Sequence, residues 1–381
     1  ADLDLADADI LRRGMSWKFK QRNEFHRVKE RFWDNCRKKG YPEELVNRVW
    51  FEVESFANFA FAKGHSASYA VESYQTLFLK AYYPIEYMVA TVNNGGGFYR
   101  PELYIHEARM HGAEVEAPCV NRSLIETTVH GKTIMLGFHM IKDLDDRTVR
   151  RLIESRADRP FDSVADFIDR VPVGIEQLDL LVKVGGFRFT GKNKKELTWE
   201  TRLMMGKAPK KDMQPRLFLP QPKPYTFPDL YTAPLEDAFD QIELLGFPLC
   251  DPFLLTNRGM KGGILAADVP EYLGKTVVVY GYLVTARKTS TAKGETMFFG
   301  NFIDRKGFFL DTVHFPPVAK AYPFQGRGIY RVVGKVTEEF GCYQIEATEM
   351  HRMPYVEDPR YAEQSTKKAL PIGFNSDEPV I

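Results

Sequence analysis

Four residues near the start of a predicted helix have the chemistry of an anion site. Lys63 and His65 come just before a helical run that is expected to begin at about Ser66, a residue suited to the N-cap. First-turn amides of a helix lack internal partners, so this end, beside two cationic or proton-donating side chains, would attract phosphate. Tyr69 begins a face along which a base or sugar could lie. The pattern predicts a nucleotide platform or, more plainly, an amphipathic helix with a buried aromatic face.

The stretch from Phe61 to Pro84 resembles the fingers of the alpha subunit of bacterial DNA polymerase III, the C family of DNA polymerases. That family carries Lys-Ser-His-Ser-Ala-Ala-Tyr-Ala, then Ser-Tyr-Gln-Thr and Leu-Lys-Ala-x-Tyr-Pro. Here Gly64 stands where the family has Ser. The resemblance implies that four residues help to position an incoming nucleotide: Lys63, His65, Ser66 and Tyr69.

A second cationic group precedes this run. The sequence Asp-Ile-Leu-Arg-Arg-Gly-Met-Ser-Trp-Lys resembles the family's Asp-x-Leu-Arg-Arg-Ala-Met-Gly-Lys-Lys, whose arginines approach the triphosphate. The resemblance therefore makes Arg12 and Arg13 candidates for nucleotide binding. Ser16 and Trp17 fill the places of the family's Gly and first Lys, so one expected cation is absent. Phosphoryl transfer relies on such cations to balance charge in the transition state.

Between Arg12 and Lys39 the chain has eleven Lys or Arg residues and three acidic residues. On predicted helices this forms a basic stripe suited to a phosphate backbone, or an ordinary solvated helix face. Lys18 and Lys20 are the candidates for DNA contact in this stripe. Over the whole chain the net charge is only +1, so the local distribution of charge, and not the total, indicates a nucleic-acid partner.

Composition limits the class of protein. The 381 residues are enough for about two or three domains, and 44% hydrophobic content is that of a globular chain. No apolar run approaches the about 18 residues that span a bilayer, so no membrane partner is expected. Four scattered cysteines give no zinc or disulfide pattern, which fits a reduced, cytoplasmic setting. The chain opens inside a predicted helix without Met, which we interpret as a fragment of a longer protein.

Together with the predicted elements, the resemblance implies a multidomain α+β fold: helical fingers, a helix-hairpin-helix domain, then a small OB-type β-barrel. The boundaries follow changes in composition and in the period of the hydrophobic pattern. The predicted domains are fingers at 1–113, helix-hairpin-helix at 114–205, a Pro-rich clamp-binding connector at 206–262, the OB domain at 263–355 and a tail at 356–381.

The helix-hairpin-helix assignment rests on resemblance to a family module that grips duplex phosphates through hairpin amides. Here the expected Gly-x-Gly turn is replaced by Asp143-Leu-Asp-Asp146, whose carboxylates would repel phosphate, so a mainly structural role is expected. Arg188 and Lys192 follow the second half of the domain and are candidates for nonspecific DNA contact.

Within the connector, Gln214-Pro-Arg-Leu-Phe218 fits Gln-x-x-Leu-Phe, the peptide by which bacterial polymerases bind the sliding clamp. Leu217 and Phe218 would fill an apolar pocket while Gln214 bonds at its rim. The alternative is that Leu217 and Phe218 only hold the connector against the body of the protein.

Five short β-rich runs between 263 and 355 predict the barrel. Arg287, Lys288 and Lys293 lie on or near its first long turn, and Phe298, Phe299 and Phe302 could offer rings to bases. Core is the safer assignment for any single ring, because alternate residues of a strand point inward.

No catalytic or metal-binding residue is expected in this chain. Asp2, Asp4, Asp7 and Asp9 have Asp-x-Asp spacing, but we interpret them as solvated helix residues, since the family holds its Mg²⁺ in a palm domain upstream. The leading hypothesis is a fragment of a bacterial replicative DNA polymerase, inactive alone, with primer-template DNA, dNTP, the sliding clamp and other replisome subunits as partners. The alternative is a non-catalytic scaffold whose OB fold binds single-stranded nucleic acid.

Overall fold

The computed structural model describes residues 2–14, 23–55, 63–205, 230–256, 259–260 and 262–361. The chain divides into two compact units, residues 1–82 and 83–381. The five-part division expected from the sequence stays a prediction, and each unit is described by itself below.

The first unit is helical. Its helices are α1 (Leu5–Gly14), α2 (Asn23–Lys38), α3 (Glu43–Ser55) and α4 (Lys63–Tyr82). Apolar residues at helical spacing on α2 and α3 form its core, in which Phe25 and Phe32 pack against Trp50 at ring-centroid distances of 6.0 Å and 5.2 Å. Buried aromatic rings of this size contribute strongly to the apolar stabilisation of a core.

One of the four amino-terminal aspartates is not solvated as expected. Asp7 is buried, and both of its carboxylate oxygens accept hydrogen bonds from Nη1 of Arg31, at 2.7 Å and 2.8 Å. A buried carboxylate needs such a partner because an unpaired charge away from water is costly. The prediction failed because the partner lies on α2, which the local sequence around Asp7 does not reveal.

The second unit begins with a helical part. Its helices are α5 (Pro84–Asn93), α6 (Pro101–Met110), α7 (Asp146–Arg156), α8 (Val164–Arg170), α9 (Ile175–Lys183), α10 (Lys194–Met205) and α11 (Glu236–Leu245). A small sheet of β1 (Glu114–Glu116), β2 (Thr128–His130) and β3 (Thr133–Met135) has the order β1-β3-β2. One core runs from Ile85 to Phe247 and includes the fully buried rings of Phe138, Phe167 and Phe187.

The β-barrel follows. Its strands are β4 (Thr276–Ser290), β5 (Thr296–Ile303), β6 (Phe309–His314), β7 (Ile329–Glu339) and β8 (Cys342–Arg352), with the short helix α12 (Pro316–Ala321) after β6. They close in the order β4-β5-β6-β8-β7, and β6 pairs with β8 in parallel while the other pairs are antiparallel. The expected α+β class with a helix-hairpin-helix region and an OB-type barrel is confirmed.

Two glycines let the barrel close tightly. A Cβ at Gly281 would lie 2.5 Å from Cβ of Phe302, and one at Gly334 would overlap the backbone carbonyl of Glu346. Gly334 also adjoins the bulge at Val333, which bends β7 as a small barrel requires. Glycine at these places therefore follows from close approach of neighbouring strands.

The segment after the barrel is tied to the helical part. Val356 N–H donates to the carbonyl of Leu255, and the Arg360 guanidinium pairs with Asp240 at 2.9 Å and Glu243 at 2.6 Å on α11. Residues up to 361 therefore pack against the unit, and residues 362–381 lie outside the described part of the chain.

Candidate nucleotide and nucleic-acid sites

The predicted platform on α4 is formed in part. Ser66 lies within α4, which the structure describes from Lys63, so the predicted N-cap at Ser66 is wrong. His65 and Tyr69 meet edge to face, with ring centroids 4.5 Å apart. They sit one turn apart on the same face of the helix, as expected for an i, i+4 pair. The side chain of Lys63 lies outside the described residues.

The aromatic face of α4 is exposed. Tyr69 is 56% exposed, Tyr74 77% and Leu77 64%. The plainer interpretation, a helix that buries its aromatic face, is therefore not what the first unit contains. A row of accessible rings is what stacking on a base would require, although the nucleotide assignment itself stays a prediction.

Arg12 and Arg13 converge on one carboxylate. Asp9 accepts hydrogen bonds from Nε of Arg12 at 3.0 Å and Nε of Arg13 at 2.6 Å. These bonds, that of Arg12 first, lower the pKa of Asp9. Because the ion pairs are exposed, they contribute little to stability and could be exchanged for a phosphate. The arginines are thus held side by side, and their role with a triphosphate stays a prediction.

The hairpin that replaces Gly-x-Gly is held by side chains. Asp143 adopts a left-handed backbone, with φ of 61°, a conformation that Asp tolerates better than most residues. Asp145 caps α7 by accepting from Arg147 N–H at 3.3 Å. Gln177 on α9 accepts from Asp145 N–H at 2.6 Å and donates to the carbonyl of Asp143 at 3.0 Å. These bonds support the structural role expected for this turn.

The two cations proposed for DNA contact in this region have internal partners. Arg188 donates to the carbonyl of Pro118 and to Oε2 of Glu116, each at 2.9 Å. The bond to Glu116 is the first cause of the lowered pKa of that carboxyl group. Lys192 pairs with Glu200 at 2.7 Å. Arg188 is therefore bound to β1 and the loop after it, and Lys192 to α10. Their contact with DNA stays a prediction that requires sharing or exchange of these partners.

The barrel presents a cation beside an exposed ring. Arg287 on β4 lies directly opposite Phe299 on β5, and Phe299 is 41% exposed. Cross-strand neighbours lie close enough for their side chains to form one surface. Lys288 and Lys293 are also exposed. Phe302 is fully buried, and Phe298 is half-buried against Phe324, so Phe299 is the accessible ring of the three.

Phe340 is an exposed aromatic residue of the barrel that was not predicted from the sequence. This residue lies in the turn between β7 and β8, is 96% exposed and has φ of 54°. A large apolar side chain so placed gains nothing from folding, and positive φ is unusual outside glycine. The available signal was Phe-Gly between two β-rich runs, which marks the turn without explaining its aromatic residue.

Several predicted residues lie outside the described part of the chain. They are Lys18 and Lys20 of the basic stripe, and Gln214, Leu217 and Phe218 of the connector. In the described ranges, no group of three or more His, Cys, Asp or Glu could hold a metal ion. Asp7 and Asp9 both accept hydrogen bonds from arginines. No helix in the described ranges is long and apolar enough to cross a membrane.

Comparisons with known proteins agree with this architecture. Residues 112–197 match the family model of the helix-hairpin-helix motif. The alpha subunit of DNA polymerase III from Thermus aquaticus is 38% identical over 190 residues, 49% of this chain and 15% of that protein. The alpha subunit from Aquifex aeolicus is 29% identical over 328 residues, 82% of this chain and 26% of that protein. An error-prone DNA polymerase of Mycobacterium tuberculosis H37Rv is 32% identical over 204 residues, 52% of this chain and 18% of that protein.

These relatives confirm the family recognised in the sequence: the chain is homologous to part of the alpha subunit of bacterial DNA polymerase III. It spans between 15% and 26% of the length of these three relatives.

Proposed function

We propose that this chain forms part of a DNA-directed DNA polymerase used in bacterial chromosome replication. The observation that carries the proposal is the homology over 82% of the chain to a DNA polymerase III alpha subunit, together with a helix-hairpin-helix region and a closed barrel in that order. In this function the chain contributes to binding of dNTP, primer-template DNA and the sliding clamp, in a cytoplasmic enzyme.

In this function the first unit contributes to dNTP binding. Arg12 and Arg13 present two guanidinium groups next to each other, and His65 and Tyr69 form a ring pair on α4. A triphosphate needs cations, and a base needs a flat surface. The nucleotidyl transfer itself, with its Mg²⁺ ions, is assigned to residues outside this chain, so the chain alone is expected to be inactive.

The barrel contributes to the binding of single-stranded DNA. Arg287 opposite Phe299 offers a charge for the phosphate backbone and a ring for a base, which together bind single strands with little sequence preference. Exposed Phe340 offers a further ring. The clamp is assigned to Gln214, Leu217 and Phe218, and other replisome subunits are proposed as further partners.

A non-catalytic scaffold for single-stranded nucleic acid is the second candidate. The observation that favours it is the same Arg287 and Phe299 surface, which needs no triphosphate to act. Binding of the sliding clamp separates the two candidates, because a scaffold of this kind has no need of it.

Binding of a fluorescent oligothymidylate, followed by anisotropy, tests the role of the barrel. Arg287→Gln and Phe299→Ala should each weaken binding by about tenfold, consistent with about 1–3 kcal/mol per stacked base. Lys335→Gln removes one exposed cation from β7 and serves as the matched control, with affinity close to that of the wild type. If the control weakens binding as much as Arg287→Gln, the attraction is diffuse and the barrel surface is not the site.

A further inference from the structure

A cavity of about 640 Å³ lies between α6 and the β-barrel, inside the second unit. Its walls come from α6, from residues 247–253, from β4 and from the turn at 303–307. This volume is within the range of small-molecule sites, which occur preferentially where separate structural elements meet. Neither the nucleotide platform on α4 nor the Arg287 surface of the barrel lines it.

The walls of the cavity are fixed to one another. The Tyr282 hydroxyl donates to Oε1 of Glu102 at 2.8 Å, which joins β4 to α6. His106 Nε2 lies 3.0 Å from the carbonyl of Gly307, so the turn at 303–307 is also joined to α6. Met110 and His106 lie so close to Gly307 that a Cβ there would collide with Sδ of Met110. The cavity is therefore preformed, which reduces the ordering cost of binding.

Most carboxylates of the lining are already satisfied. Glu102 holds Tyr282 and lies 3.7 Å from Arg327. Asp304 accepts from the backbone N–H groups of Ala266, Lys306 and Phe308. The carboxylates of Glu102 and Asp304 are therefore satisfied by hydrogen-bond donors of the protein itself.

Asp251 accepts a hydrogen bond from the Phe253 N–H at 2.9 Å and so caps the 3-10 turn Pro252–Leu255. Glu114 is the remaining carboxylate of the lining, and it lies exposed at the first position of β1.

Arg109, unlike these carboxylates, has more hydrogen-bond donors than partners. Its Nη2 donates to the carbonyl of Leu249 at 2.7 Å, and this neutral oxygen is the one acceptor that the described residues give it. Burial lowers the pKa of Arg109, Cys250 and Glu102 oppose part of that shift, and the arginine remains charged. A half-buried guanidinium with five N–H donors and one neutral acceptor gains from an anion placed beside it.

Apolar side chains form the remaining lining. Phe247, Phe253 and Leu283 are buried and line the cavity next to the charged region. We propose that this cavity binds a small amphipathic anion, a flat apolar body that carries one carboxylate, phosphate or sulfonate group, with Arg109 as the charged anchor. The apolar body lies against the two phenylalanine rings, while the anionic group replaces water at the guanidinium. The proposal does not depend on the polymerase assignment.

Fluorescence titration of the whole chain with 8-anilinonaphthalene-1-sulfonate tests this site, since the probe joins an aromatic body to one sulfonate. The wild type should show one saturable site, and Arg109→Gln should weaken it by about tenfold or more. Arg150→Gln removes an exposed arginine on α7 and is the matched control, with unchanged affinity.

The uncharged probe N-phenyl-1-naphthylamine gives a second measurement, which separates the contribution of the sulfonate from that of the aromatic body. The wild type should bind it about tenfold more weakly than the sulfonate, and Arg109→Gln should remove that difference. Arg109→Lys keeps the charge but loses the planar fork, so it should bind the sulfonate with intermediate affinity. Equal affinity of wild type and Arg109→Gln, equal affinity for both probes, or a signal that never saturates would overturn the proposal.

Discussion

His314, at the end of β6, should make the barrel sensitive to mild acid. The ring is fully buried, with Nε2 2.8 Å from the Thr312 hydroxyl. That hydroxyl gives its own proton to the carbonyl of Gly300, so it accepts from Nε2–H. Nδ1 is buried and has no partner among the described residues, and the ring of Phe324 lies 4.9 Å away. The imidazole is therefore neutral, and burial lowers its pKa to about 4.

The size of the effect follows from the difference in pKa between folded and unfolded chain. An unfolded histidine has a pKa of about 6.5, so between pH 6.5 and pH 4 the unfolded state binds the proton more readily. The stability that the neutral ring contributes is complete above pH 6.5 and is lost as the pH falls toward 4. At pH 5 the expected loss is about 2 kcal/mol relative to pH 7.5, from these two pKa values.

Hydrogen exchange of the barrel amides at pH 7.5 and pH 5, corrected for intrinsic rates, measures this loss for the barrel alone. In His314→Gln the side chain cannot titrate, yet its amide can still donate to Thr312. The variant should therefore lose about 2 kcal/mol less than the wild type between the two pH values. His130→Gln, at an exposed histidine of β2, should behave as the wild type. Equal pH dependence in wild type and His314→Gln would refute the reasoning.

Three other substitutions test separate parts of the structure. Gly64→Ala should stabilise α4 by about 1 kcal/mol, because its Cβ would meet nothing within 4 Å, and helicity by circular dichroism would rise. Tyr282→Phe removes the donor to the Glu102 carboxylate and should lower the unfolding free energy of the barrel by about 1.5–3 kcal/mol; an unchanged melting curve would contradict this. Phe340→Ala should leave thermal stability unchanged and weaken oligothymidylate binding by about tenfold, and unaltered affinity would exclude Phe340 from the site.

The barrel could be predicted from the sequence because its signals are local. Thr276-Val-Val-Val-Tyr and Gly328-Ile-Tyr-Arg-Val-Val are β-rich runs bounded by turn residues, and they lie in β4 and β7 as expected. The resemblance to a known family predicted an OB-type barrel. The order of the strands and the parallel pairing of β6 with β8 depend on contacts across the barrel, which the local runs do not reveal.

The partners of charged side chains could not be predicted in the same way. Arg188 meets Glu116 across 72 positions of the chain, and Asp7 meets Arg31 across 24. A charge that appears available in the sequence is therefore held internally in the fold. The cavity beside Arg109 could not be predicted from the sequence for the same reason. Its walls come from segments that only the packing of α6 against the barrel brings together.

Binding of the whole chain to a bacterial sliding clamp tests the central claim most directly, because a clamp is used by a replicative polymerase and not by a simple single-strand scaffold. The account predicts saturable binding that Leu217→Ala/Phe218→Ala abolishes. Met213→Ala/Leu219→Ala removes two apolar side chains from the same connector and should retain binding, as a matched control. No binding by the wild type would contradict the proposed place in replication and favour the scaffold, and equal loss in both double variants would contradict the assignment of Leu217 and Phe218.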